Sequence, residues 1–112
     1  EEVLPGLVQD SSITVTECLA DIGGLAFMEA LGAKETSFDF KEFYRKYGEG
    51  AGAKVSRTYY CSTFLDDVHP FGRVRTNCVL SNSAKFISTF NITETDGMYR
   101  SSAIQVVFFY FF

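Results

Sequence analysis

The sequence predicts a mainly helical fold with short extended segments, and three observations carry that prediction. Residues from Thr16 to Leu31 run without a proline or a turn cluster and stop at Gly32, a natural residue just past a helix end. Phe40, Phe43, Tyr44 and Tyr47 recur at i, i+3, i+4 and i+7, the apolar stripe of an amphipathic helix. Ser83 precedes a third apolar set, Phe86, Ile87 and Phe90, at helical spacing.

Taken in order, residues 1–15 read as extended or looping chain, with Leu4-Pro-Gly6 as a turn and Ser12-Ile-Thr-Val15 leading into the first helix. Thr16 is the expected N-cap, which places Glu17 in a first turn favoured by the helix dipole. The second helix starts after Thr36 or Ser37, with Asp39 near its start and Arg45 and Lys46 near its end. Gly48-Glu-Gly-Ala-Gly-Ala53 is the point where it stops or loosens. Residues 55–65 are expected to form a further helix with Tyr59, Tyr60 and Phe64 facing inward. Asp66 to Gly72 is polar and turn-rich, and Val74 to Leu80 reads as extended. A short helix follows from the Ser83 cap to Phe90, Thr95-Asp-Gly97 is a turn, and the tail after Ser102 reads as a strand or an extended packing arm.

Composition bounds the function classes. A chain of 112 residues makes one domain at most, and 46% apolar content with 12 Phe and 6 Tyr belongs to a packed segment, not a disordered one. Net charge is −4 and the basic residues are scattered, Arg73 and Arg75 being too few for a patch, so nucleic acid is excluded as a partner. Cys18, Cys61 and Cys78 form no CxxC pair and leave an odd thiol in any disulfide scheme. They read as buried small hydrophobes in a reducing compartment. The opening Glu-Glu-Val-Leu-Pro-Gly lacks a Met, a basic start and a long apolar run, which reads as a fragment or processed product without a signal peptide. Val106 to Phe112 is seven consecutive apolar residues, far below the roughly 20 that span a bilayer. Left exposed it is an aggregation-prone strand, so something is expected to cover it.

Two constellations carry chemistry. Glu17 and Asp21 stand four residues apart, so a helix projects both carboxylates from one face. Gly23 and Gly24 follow inside the same helix, at a cost of roughly 1 kcal/mol each against Ala, which is tolerated best where another backbone packs very close. A buried metal ligand with a carboxylate partner would have this form, whereas the same spacing on an exposed helix is a solvated face. The second constellation is Asp67-Val-His69 with Arg75 six residues later. A carboxylate two positions from a histidine can set its tautomer and favour the imidazolium. Together with Arg75 it could donate hydrogen bonds to a developing oxyanion and to a substrate carbonyl.

Glu17-Cys-Leu-Ala-Asp-Ile-Gly-Gly24, Asp67-Val-His69 through Arg75, Leu80-Ser-Asn82 with Phe86 to Phe90, and Asp96-Gly-Met-Tyr99 occur in an order and spacing that resemble the neprilysin family of zinc metallopeptidases, including its bacterial oligopeptidase O branch. The likeness runs from about residue 3 to residue 109. It implies that residues 1–112 are the C-terminal, helical portion of a thermolysin-like zinc peptidase catalytic domain whose HExxH part lies upstream. It also implies zinc-dependent endopeptidase action on oligopeptides. Glu17 would match the third zinc ligand, beside two histidines of the missing segment, and Asp21 would hydrogen-bond a ligand histidine. His69 would stabilise the tetrahedral intermediate, Asp67 would orient it, and Arg75 would grip a substrate carbonyl. The partners implied are peptide substrates and the N-terminal remainder of the domain.

The sequence departs from the family pattern at several points. Cys18 replaces the usual Asn, Ala51 stands where Trp is frequent, and Ser102, Gln105 and Phe109 stand where Pro, Arg and a terminal Trp are expected. With one zinc ligand of three, the chain alone is expected to hydrolyse nothing. The rival reading is an inactive remnant, or a partner-binding fragment that docks through its aromatic faces.

Overall fold

The computed structural model describes residues 2–4, 6–8, 10–51, 57–63 and 67–105. It is mainly helical, as the sequence predicts. A small antiparallel hairpin pairs β1 (Glu2–Leu4) with β2 (Leu7–Val8). Gly6 turns it with φ of 81°, a conformation that suits glycine.

Helix α1 runs Ser11–Gly32 and starts earlier than the sequence suggests. Its N-cap is Asp10, not Thr16, because the Asp10 carboxylate accepts from both the backbone N (2.8 Å) and the Oγ (2.7 Å) of Ser12. The β-branched run Ile13-Thr-Val15 is thereby drawn into the helix, with Thr14 buried against the interior. Glu17 consequently sits in the second turn, where the helix dipole does not explain its place. A close approach is made at Gly32, where a Cβ would lie 2.8 Å from the Phe38 ring. A Cβ at Gly24 would meet nothing within 4 Å among the described residues.

Helix α2 (Phe40–Ala51) ends inside the glycine-rich stretch as expected, residues 52 and 53 lying outside the described residues. Asp39 caps it by accepting from Glu42 N at 3.0 Å. Arg45 and Lys46 stand mid-helix, on exposed ion pairs with Glu42 and Glu49. The aromatic stripe packs as expected, with Tyr44 at 2% exposure and Phe40, Phe43 and Tyr47 around it.

Helix α3 (Arg57–Thr63) lies at the surface, and Tyr59 is 48% exposed instead of facing inward. Among the described residues, the core cluster draws on the other helices. The Tyr60 side chain and Phe64 lie outside the described residues.

The largest correction concerns Val74 to Leu80, which is helix α4 (Gly72–Ser81) and not an extended segment. Phe71, Val74, Val79 and Leu80 are buried, and the gap in that helical stripe is filled by half-buried Arg75 and Cys78. A charge and a thiol on the inner face hid the period. Tertiary packing overrides the β-propensity of Val and Thr here. Asn82 closes the helix by donating to Cys78 O at 2.7 Å.

Helix α5 (Ala84–Thr89) has the expected Ser83 cap, whose Oγ accepts from Phe86 N at 2.9 Å. Phe86 is buried and Ile87 half-buried, while Phe90 ends the helix at 37% exposure. Ile22, Leu25, Tyr44, Val79, Leu80 and Phe86 form the core that ties α1, α2, α4 and α5 together. In the Thr95–Gly97 turn, Asp96 accepts from Thr93 N at 2.8 Å. Ser102–Ile104 form a 3-10 turn where a strand or extended arm was expected, and residues 106–112 lie outside the described residues.

Candidate active site

Helices α1 and α4 bring the candidate residues together. The Arg75 guanidinium forks onto Asp21, through Nη2 to Oδ1 at 2.8 Å and through Nε to Oδ2. The same Nη2 stands 3.7 Å from Glu17 Oε2, so one cation engages both carboxylates that the i, i+4 spacing aligned. The bond to Asp21 is the main reason that Arg75 holds its proton even more firmly than usual, with burial opposing it.

His69 arrives from the segment before α4. Asp67 Oδ1 accepts from the His69 backbone N at 2.9 Å and stands 2.8 Å from its Nδ1, a local turn closed by an Asp side chain. These bonds, the backbone one first, hold the Asp67 carboxyl below its usual range. A carboxylate facing Nδ1 favours the tautomer with a proton there. Nε2 faces Glu17 Oε2 at 3.7 Å. The five residues named from the sequence thus form one run of contacts, Asp67 to His69 to Glu17 to Arg75 to Asp21.

Beside this run lies an open groove of 500 Å³, lined among others by Asp21, Tyr47, Ala51, Pro70 and Arg75. Ala51 contributes little bulk there. Burial, then the nearby Asp21 charge, pushes the Tyr47 phenol up to about 12, so it is a neutral donor at physiological pH.

The donor set does not by itself make a metal centre. No group of three His, Cys, Asp or Glu side chains is arranged to hold a metal ion among the described residues. Glu17 is shared between an imidazole and a guanidinium, and a guanidinium 3.7 Å away offsets the charge a metal would need. The zinc implied by the resemblance would have to take its other donors from elsewhere.

One feature has no motif to announce it, and a second corrects an expectation. Glu29, on the core side of α1, accepts from Tyr44 Oη at 2.6 Å and from Ser83 Oγ, knotting α1, α2 and the α5 cap. Tyrosine in place of phenylalanine in the aromatic stripe was the available signal. The second is the cysteine placement: Cys18 and Cys78 are half-buried and Cys61 is exposed, so the three are not uniformly buried. The Cys18 thiol is pushed up to about 12, chiefly by burial and next by Cys78.

The helical fold gathers paired carboxylates, a carboxylate-held histidine and an arginine beside a groove. The sequence profile of peptidase family M13 matches residues 6–106, and the chain belongs to that family, the neprilysin family of metallopeptidases. It is similar to a neutral endopeptidase of Lactococcus lactis subsp. lactis (strain IL1403), at 29% identity over 92 residues. A neutral endopeptidase of Lactococcus lactis subsp. cremoris is 28% identical over 92 residues. Each alignment covers 82% of this chain and 15% of the relative, so the chain spans only a small part of those proteins. No solved structure matches it.

Proposed function

We propose that the protein to which this chain belongs is a zinc-dependent endopeptidase acting on oligopeptides, and that residues 1–112 are the C-terminal portion of its catalytic domain. The observation that carries this reading is the single run of contacts from Asp67 to Asp21, assembled from two separate motifs. Family membership and the likeness to proteins named neutral endopeptidase support the reaction class.

In this reading Glu17 is the one residue of the chain that contributes to the zinc, with the remaining donors and the general base supplied from outside it. Asp21 braces Arg75 and retains acceptor capacity for a ligand histidine, since a carboxylate has about four lone-pair sites. Arg75 engages Asp21 through Nε and Nη2, and its Nη1 donors are those it would offer to a substrate backbone carbonyl. His69, as the imidazolium, donates from Nε2 to the oxyanion of the tetrahedral intermediate while Asp67 holds Nδ1. With no group of metal-holding side chains among its described residues, the chain alone is expected to hydrolyse nothing.

The test is kinetic, on the full-length protein. His69→Gln is expected to lower kcat by about 100-fold or more, the loss typical of one oxyanion donor, with little change in KM. Equal loss in KM alone would contradict the assigned role. The alternative, an inactive fragment that docks on a partner, draws on the exposed Leu19, Phe27, Met28 and Leu31 of α1. A full-length protein that cleaves no peptide would favour it.

A further inference from the structure

A second cavity, of 310 Å³, opens between α1, α4 and the cap of α5, and it shares no lining residue with the groove beside Arg75. Ile22, Leu25, Ala26 and Glu29 stand at i, i+3, i+4 and i+7, so one stripe of α1 forms a wall. Val79 of α4 and Gln105 also line it. Apolar walls thus meet a carboxylate. Glu29 Oε1 accepts from Tyr44 Oη at 2.6 Å and from Ser83 Oγ, while no donor among the described residues reaches Oε2. Every fully buried side-chain nitrogen and oxygen among the described residues has a partner, so Oε2 is open to solvent. Lys85 lines the cavity without neutralising Glu29, because its Nζ lies 4.4 Å from the centre of the Phe40 ring. Gln105 adds a second acceptor: Nε2 donates to Ser81 O at 3.4 Å and Arg100 O at 3.2 Å, which leaves Oε1 available.

We propose that this cavity binds a small organic cation, an alkylguanidinium or alkylammonium. The cationic head donates to Glu29 Oε2 and to the Gln105 amide oxygen, and the alkyl stem packs on Ile22, Leu25 and Val79. Both open polar atoms are acceptors, so the ligand must donate, and an uncompensated carboxylate favours a positive donor over a neutral one. The volume lies at the lower end of the roughly 300–1,000 Å³ of ligand pockets, which suits a short stem. A bound cation would brace the carboxylate that already ties α1 to Tyr44 of α2 and to the α5 cap. The site goes beyond the peptidase reading and stands whether or not the protein cleaves peptides.

The experiment titrates the full-length protein with butylguanidinium, and in parallel with butylurea as its neutral counterpart, by saturation-transfer NMR. Butylguanidinium is expected to bind at least about 10-fold more tightly than butylurea, since only the cation makes a charge-assisted bond. Glu29→Gln keeps an acceptor for Tyr44 and Ser83 but removes the charge, and should weaken the cation by about 10-fold or more. Ala26→Leu should block both probes by filling the cavity with the carboxylate intact. Glu42→Gln, on the exposed side of α2, should bind like the parent and so separates this site from general attraction to an acidic protein. Melting curves verify that each variant is folded. Equal binding of the two probes, no binding of butylguanidinium, or undiminished binding by folded Glu29→Gln would each overturn the proposal.

Discussion

Arg75 joins the two motifs, and its bonds to Asp21 span 54 residues of sequence. Replacing it by methionine keeps the length of the side chain but leaves Asp21 half-buried without its cation. Arg75→Met should destabilise the protein by about 1–3 kcal/mol in denaturant unfolding, and Asp21→Asn should cost less because it leaves no orphaned carboxylate. Asp67 makes a different prediction. Its folded carboxyl is held below the ordinary value of about 3.9, so its contribution is fully present above that pH. The contribution is lost as pH falls through the lower folded value. A carboxyl NMR titration should find Asp67 still ionised when ordinary aspartates have protonated. Residue types and spacing made Glu17, Asp21, Asp67, His69 and Arg75 visible as candidates. Their partners across the fold were not visible, because the Asp21–Arg75 and Glu17–His69 contacts arise from tertiary packing that no local pattern encodes.

At the scale of elements, caps and inner faces decide where the chain folds as it does. Ser83 both caps α5 and donates to Glu29, so Ser83→Ala removes a cap and strips a half-buried carboxylate of a donor. The expected loss is about 1–2 kcal/mol, read as a lower unfolding midpoint. Helix α2 was legible because its aromatic residues recur without interruption. Helix α4 was not, because half-buried Arg75 and Cys78 break the hydropathy of a face that also carries Val74, Val79 and Leu80. The start of α1 was missed for a related reason: two hydrogen bonds to the Asp10 carboxylate outweigh the reluctance of Ile13, Thr14 and Val15 to enter a helix. Gly32→Ala should destabilise by about 1 kcal/mol or more, since the new Cβ would press on the Phe38 ring and displace its contacts with Phe40 and Phe43.

At the scale of the molecule, α1 is apolar on more than one side. Ile22 and Leu25 fill the core, while Ile13, Leu19, Phe27, Met28 and Leu31 are exposed and a Cβ at Gly24 would meet nothing within 4 Å among the described residues. An apolar surface of that kind is what the proposed reading, with residues 1–112 as one part of a larger catalytic domain, expects. The most direct measurement of the central claim is therefore made on the full-length protein. Zinc content and peptide hydrolysis are compared between the parent and Glu17→Gln. The account predicts about one zinc per chain and chelator-sensitive cleavage in the parent, with both zinc and at least 100-fold of the activity lost in the variant. A Glu17→Gln protein that retains its zinc and cleaves at the parental rate would contradict it.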